Sequence, residues 1–172
     1  VEGDMDIQVY SCGLLVVGDR VIRCALGHGG VRRDKREGDG GTPIGRFALR
    51  EVLYREDRAR RPITHLPLSI IGPNDGWCDD PSAKEYNRRI VLPHSGGHEM
   101  LFRPDSLYDI VVPLGYNDDP PITGKGSAIF MHIARDDYST TEGCIAVARA
   151  DLLTILNRVG PSDFLAINPP RP

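Results

Sequence analysis

The sequence predicts a mainly β fold with one α-helix near its C-terminus. Three observations carry this. Glycine (19) and proline (14) are abundant while aromatic residues make up only 6%, a composition of many turns rather than of a helical bundle. The apolar residues fall in short runs bounded by Gly, Pro, Asn and Asp, as strands between turns do. Only residues 151–159 repeat their apolar side chains at helical spacing.

Taken in order, Ile7–Tyr10 and Leu14–Val17 read as strands, and the turn at Gly18-Asp19 returns the chain along residues 20–26. Gly27, His28, Gly29 and Gly30 break that pattern, and a polar loop extends to Gly41. Residues 42–49 read as a turn leading into a strand. The charged residues 52–61 are expected to form a short helix, and the apolar residues 66–71 a strand. Residues 72–88 form a long irregular stretch, which in a compact domain is usually functional. Residues 108–114 are β-rich, 127–134 read as a buried strand, and 144–148 as a short one. Leu152, Leu153, Ile155, Leu156 and Val159 define the helix, with Gly160 expected as its left-handed cap and Pro161 as its stop. Phe164–Ile167 reads as a closing strand.

At 172 residues, 40% hydrophobic and 26% charged, the chain fits one ordinary domain, residues 1–172. Its net charge is −3 with both signs interspersed. The basic run Arg32, Arg33, Lys35 and Arg36 is diluted by Asp34 and Glu37, so no nucleic-acid footprint results. No apolar run approaches a membrane span. No signal peptide is visible, and the start at Val1 points to a trimmed or processed product. A monomer is expected. Of the four cysteines, none shows CxxC spacing. If Val17 pairs with Arg20, Cys12 falls opposite Ala25 and Gly13 opposite Cys24. The Cys12 and Cys24 thiols then point to opposite faces, which argues against a bridge.

The chemistry-bearing segment runs from His132 to Cys144. A histidine ends a buried strand, a polar loop follows, and Gly143-Cys144 opens the next strand. A thiol near its usual pKa of about 8.5 is mostly protonated at neutral pH, so a nucleophilic cysteine needs a partner to take its proton. An imidazole can do this and later protonate a departing amine. Gly143 lets backbone N–H groups turn toward a reacting carbonyl, where one donor is worth roughly 3 kcal/mol.

His132 followed by Thr141-Glu142-Gly143-Cys144-Ile145 resembles the active-site pattern of the L,D-transpeptidase (YkuD-like) family, in which a strand His precedes Ser/Thr-His-Gly-Cys. Thr42-Pro43-Ile44-Gly45-Arg46-Phe47 matches the family's Thr-Pro-x-Gly-x-Phe. The resemblance covers about residues 7–168 and is nearest to a short, single-domain Gram-negative branch. It implies a β-sandwich or partly open barrel with a C-terminal helix, and Cys144, His132 and Gly143 as catalytic residues without a cofactor or metal. It implies peptidoglycan stem peptides as donor and acceptor, acylation by carbapenem-class β-lactams, and a place in the periplasm or cell envelope. The family orients its imidazole through a backbone carbonyl, for which Ile133 is the candidate. This chain departs from the pattern at Glu142, where His is usual, at Ala146, where Arg is typical, and in its short His-to-Cys gap. Cross-linking of 3-3 or 1-3 type is expected; a cysteine L,D-carboxypeptidase or a non-catalytic peptidoglycan-binding module are the alternatives.

Five further residues are candidate substrate contacts: Trp77, Tyr116, Arg135, Thr141 and Glu142. Trp77 and Tyr116 can stack on sugar or peptide, or pack their loops down. Arg135 can hold a substrate carboxylate, or pair with Asp136 or Asp137. Glu142 can meet an acceptor amine, or face water. His94 and His98 are spaced as zinc ligands on a helix would be, but their Gly- and Pro-rich surroundings read as loop. Asp79-Asp80 and Asp118-Asp119 read as turn formers. Cys78 is a rival nucleophile, disfavoured by its acidic neighbours.

Overall fold

The computed structural model describes residues 5–172. The strands in chain order begin with β1 (Ile7–Tyr10), β2 (Leu14–Val17), β3 (Arg20–Arg23), β4 (Val31–Arg32) and β5 (Thr42–Pro43). Next come β6 (Gly45–Ala48), β7 (Val52–Tyr54), β8 (Leu68–Ile70), β9 (Asp75–Cys78), β10 (Arg89–Val91) and β11 (His98–Met100). The chain closes with β12 (Ile110–Pro113), β13 (Phe130–Ile133), β14 (Ile145–Val147), α1 (Arg149–Arg158) and β15 (Phe164–Ile167).

One sheet has the order β3-β2-β1-β15-β6 and a second the order β14-β13-β12-β7-β8. In the first, Gly18 at φ +57° turns the β2–β3 hairpin into the register Val17–Arg20 that the sequence implied. Cys12 is exposed, Cys24 is buried, and all four cysteines are free. The second sheet is buried on both faces, which explains why β12 and β13 read as unbroken apolar runs. On one side Ile110, Val112, Met131, Ile133, Ile145 and Val147 pack with residues of β1, β15 and α1. On the other, Leu53, Val111 and Phe130 meet Leu101, Tyr108 and Trp77, beneath a small antiparallel sheet of order β10-β9-β11. Bridges at Ala25–Ala146 and Leu49–Leu114 tie the two large sheets without closing a barrel. The mainly β sandwich with a C-terminal helix is the predicted fold. No helix among the described residues is long and apolar enough to cross a membrane.

Several local expectations are corrected. Residues 52–61 do not form a helix: Val52, Leu53 and Tyr54 are buried in a strand parallel to β8, and only one turn, Ala59 N–H to Arg55 O, follows. Burial on two faces outweighs the weak helical preference of the charged tail. The stretch 72–88 contains β9, which pairs with both β10 and β11. Ala128 at φ +53° delays β13 to Phe130, and Gly143 at φ +135° delays β14 to Ile145. The helix stops without a left-handed glycine, because Val159 is already extended at φ −99°, ψ 156°. Polar residues 31–43 hide the short parallel pair β4–β5.

Candidate active site

β13 and β14 run parallel with His132 opposite Ala146. Cys144 immediately precedes β14, two residues from Ala146 and therefore on the same sheet face as His132. Both line one cleft of about 370 Å³ at the edge of the second sheet.

His132 is 5% exposed. Its Nδ1 lies 2.9 Å from the Ile133 carbonyl, the partner singled out from the sequence. A carbonyl only accepts, so Nδ1 carries the proton and Nε2 is left as the acceptor. The Tyr108 ring packs edge-on against the imidazole, centroids 5.2 Å apart. Burial pushes the imidazole down to about 4, against the Ile133 hydrogen bond that favours the cation. The imidazole is therefore neutral at physiological pH.

Cys144 is also neutral at rest. Burial first, and the Glu99 carboxylate second, push its thiol up to about 12. Sγ–H donates to the Ala128 carbonyl at 3.2 Å and accepts the Phe130 N–H at 3.4 Å. The left-handed turn at Ala128 is what aims that carbonyl at the thiol. The two groups thus share a cleft, but the resting thiol addresses Ala128 rather than the imidazole.

The segment before Cys144 is fixed by hydroxyl groups. Thr141 Oγ1 accepts the Gly143 N–H at 3.1 Å and donates to the Cys144 carbonyl at 2.6 Å. Fully buried Thr42 accepts the Gly27 N–H and donates to the Gly143 carbonyl, each at 2.9 Å. This joins the Thr-Pro motif to the segment that carries Cys144. A Cβ on Gly143 would stand 2.7 Å from the Gly41 carbonyl oxygen, so close backbone approach and a positive φ both require glycine there. Because Thr141 occupies the Gly143 N–H, the backbone donors left for an oxyanion are those of Glu142 and Cys144, for which no hydrogen bond is formed among the described residues.

The cleft walls carry Lys35, Glu37, Asp79, Glu99, Arg103, Tyr108, Ser127 and Arg135. Sequence reasoning passed over Thr42 as a positioning residue, although it lies inside the Thr-Pro motif. It also passed over Glu99, which sits beside His98, and Tyr108, whose role rests wholly on packing across strands.

Of the predicted contacts, Thr141, Arg135 and Glu142 line the cleft. Glu142 is exposed and meets His28 Nε2 at 3.0 Å, so it faces neither of the two expected partners alone. Arg135 is exposed, and no ion pair with Asp136 or Asp137 is formed among the described residues. Trp77 and Tyr116 lie outside the cleft lining. Trp77 stands in β9, packs on Phe130 with centroids 5.0 Å apart, and donates to Asn87 Oδ1 at 2.9 Å. Tyr116 packs on Phe47 at 5.4 Å and donates to the Lys125 carbonyl. Cys78 is fully buried and its Sγ meets His94 Nε2 at 3.6 Å, away from the cleft lining; burial raises this thiol also. His94 stacks edge-on with His98, centroids 6.0 Å apart. No group of three or more His, Cys, Asp or Glu side chains among the described residues is arranged to hold a metal ion.

Among solved structures, the chain is similar to L,D-transpeptidase 3 from Mycobacterium tuberculosis in complex with a faropenem-derived adduct, with 13% identity, 96% of this chain and 60% of that chain covered, and a TM-score of 0.47. It is also similar to M. tuberculosis L,D-transpeptidase 1, with 11% identity, 95% and 61% covered and a TM-score of 0.42. For an L,D-transpeptidase from Mycobacterium smegmatis the values are 12%, 96%, 59% and 0.44. The chain spans about 60% of the length of these structures. No curated protein matches it. The family model for the YkuD L,D-transpeptidase catalytic domain matches residues 9–167, nearly the full chain, and the chain belongs to that family.

Proposed function

We propose that the chain is a peptidoglycan L,D-transpeptidase in which Cys144 is the nucleophile and His132 the general base and acid. The observation that carries this is the sharing of one cleft by a thiol and an imidazole whose Nδ1 is tied to Ile133 O and whose Nε2 is unprotonated. Docking of a stem peptide displaces the thiol from Ala128. Sγ attacks the carbonyl of the L,D-bond while its proton passes to His132 Nε2, which avoids forming a free thiolate in a buried site. The oxyanion is held by the Glu142 and Cys144 N–H groups. The C–N bond then breaks, His132 returns the proton to the departing amine of the D-residue, and a thioester remains. An acceptor-stem amine attacks the thioester, loses its proton to His132, and the cross-link forms as the thiol is restored. The same thiol is set to open the strained amide of carbapenem-class β-lactams. Action on peptidoglycan places the chain in the cell envelope.

The test is incubation of wild-type protein and Cys144→Ala with disaccharide-tetrapeptide, followed by intact-mass and muropeptide analysis. A dimer formed only by the wild type, with loss of the terminal D-residue, is expected, and fragmentation distinguishes 3-3 from 1-3 links. Shortened monomer without dimer would assign an L,D-carboxypeptidase instead. Undiminished turnover by Cys144→Ala would sink the mechanism.

A further inference from the structure

We propose that Glu99 and Asp79 form an ammonium-binding subsite on the wall of the Cys144 cleft, which receives the protonated amine of the acceptor. The proposal rests on the transpeptidase reading above and names the residues that select its second substrate.

Register places the carboxylate. Glu99 in β11 is directly opposite Trp77 in β9, so the two side chains share one face of the small sheet. Trp77 packs on Phe130 of β13, which turns that face toward the second sheet and the thiol. Glu99 and Asp79 line the cleft together with Cys144 and His132. Tyr108 O–H donates to Glu99 Oε2 at 3.0 Å while the same ring packs against His132. One tyrosine therefore fixes the carboxylate relative to the base.

The cations of the cleft are committed elsewhere. Lys35 Nζ lies 2.7 Å from Asp39, and Arg103 is held by both oxygens of Asp105 at 2.8 and 2.7 Å. Arg135 is out at the exposed rim. Glu37 is satisfied by the Tyr86 and Ser127 hydroxyls. Glu99 and Asp79 face the cleft without an ion pair among the described residues; Arg103 and His98 act on them only from beyond ion-pair distance. Burial above all holds both carboxyls above the ordinary range; the charge of Asp79 adds to this at Glu99, against the Tyr108 hydrogen bond and Arg103, and that of Asp80 adds at Asp79, against His98. Burying Glu99, and Asp79 in part, without an ion pair costs stability that the single Tyr108 hydrogen bond to Glu99 only partly offsets, and Glu99 also makes the thiol harder to ionise. A ligand ammonium placed beside them offsets the repulsion and holds the acceptor next to the thioester; it releases one proton to solvent, attacks as the neutral amine, and gives the second proton to His132.

The experiment uses the full chain. In the Cys144→Ala background, titration calorimetry compares a stem tripeptide with a free side-chain amine and the same peptide N-acetylated. About tenfold or greater preference for the free amine is expected, and Glu99→Gln or Asp79→Asn should erase it. Glutamine keeps an acceptor for Tyr108, and thermal unfolding checks that each variant is folded. In turnover with Cys144 intact, Glu99→Gln should raise KM for the acceptor about tenfold at nearly constant kcat, without slowing carbapenem acylation of Cys144. Equal binding of the two peptides, binding of neither, or a preference that survives both substitutions overturns the subsite. Free-amine preference without any cross-linking would preserve the subsite and refute the transpeptidase; cross-linking with an unchanged acceptor KM in Glu99→Gln would do the reverse.

Discussion

Thr42→Val tests the link between the Thr-Pro motif and the Gly143-Cys144 segment. Valine matches the shape of threonine, so the packing is kept and only the hydroxyl is lost. The hydroxyl has two buried partners, the Gly27 N–H and the Gly143 carbonyl, each at 2.9 Å. Neither has space to recruit water: a Cβ on Gly27 would already stand 2.1 Å from the Gly40 carbonyl oxygen and 2.8 Å from Gly143 Cα. Leaving a buried polar group unpaired costs about 1–3 kcal/mol. Two such groups, less the relief of burying a methyl in place of a hydroxyl, give about 2–4 kcal/mol. With a urea m-value of about 2 kcal/mol/M for a small domain, the unfolding midpoint should fall by about 1–2 M. Thr42→Ser keeps both hydrogen bonds and loses one methyl, for about 1 kcal/mol. Equilibrium urea unfolding of the three proteins provides the comparison. If valine and serine variants unfold within about 0.5 kcal/mol of each other, the hydroxyl bridge does not hold this segment and the argument fails. Beyond stability, Thr42→Val should lower cross-linking even at temperatures where the protein is fully folded, because Gly143 sets the position of the Cys144 N–H.

The buried neutral imidazole makes an acid-side prediction. An ordinary histidine near 6.5 in the unfolded chain binds a proton that folded His132, near 4, does not. Stability is therefore full above about pH 6.5 and is lost as pH falls toward 4, by about 3 kcal/mol from this group. Comparing denaturation of wild type and His132→Asn from pH 7 to 4 isolates it from the carboxylates, and parallel curves would exclude it. The raised thiol makes the second. Iodoacetamide labelling of Cys144, followed by peptide mass mapping to separate it from exposed Cys12, should climb about tenfold per pH unit between 7 and 10. A plateau below pH 8 would mean that the free protein already holds a thiolate.

Much of this protein is legible in one dimension. Composition and punctuation carry the β class, since turns need Gly and Pro whatever surrounds them. The Gly18-Asp19 hairpin and its register are local, as is the helix with its apolar stripe. The pairing of His132 with Cys144 in one cleft needs only a short loop between neighbouring parallel strands, so motif spacing reaches it. Even the Ile133 carbonyl is a local matter, one residue from the ring it holds. What failed was decided by partners distant in sequence. Residues 52–54 became a strand because β8 and β12 flank them. Of the two readings open for Trp77, stacking on a substrate or packing, the packing partner is Phe130, more than fifty residues away. The ionisation of the site belongs to the same class. Sequence shows a thiol and a base and suggests an ion pair; tertiary burial withdraws water from both and leaves them neutral. Thr42 bridging to Gly143 over 101 positions, and Glu99 brought to the thiol by the pairing of β11 with β9, arise only when sheets stack, because side-chain identity fixes what a residue can bind and the fold alone fixes what it meets.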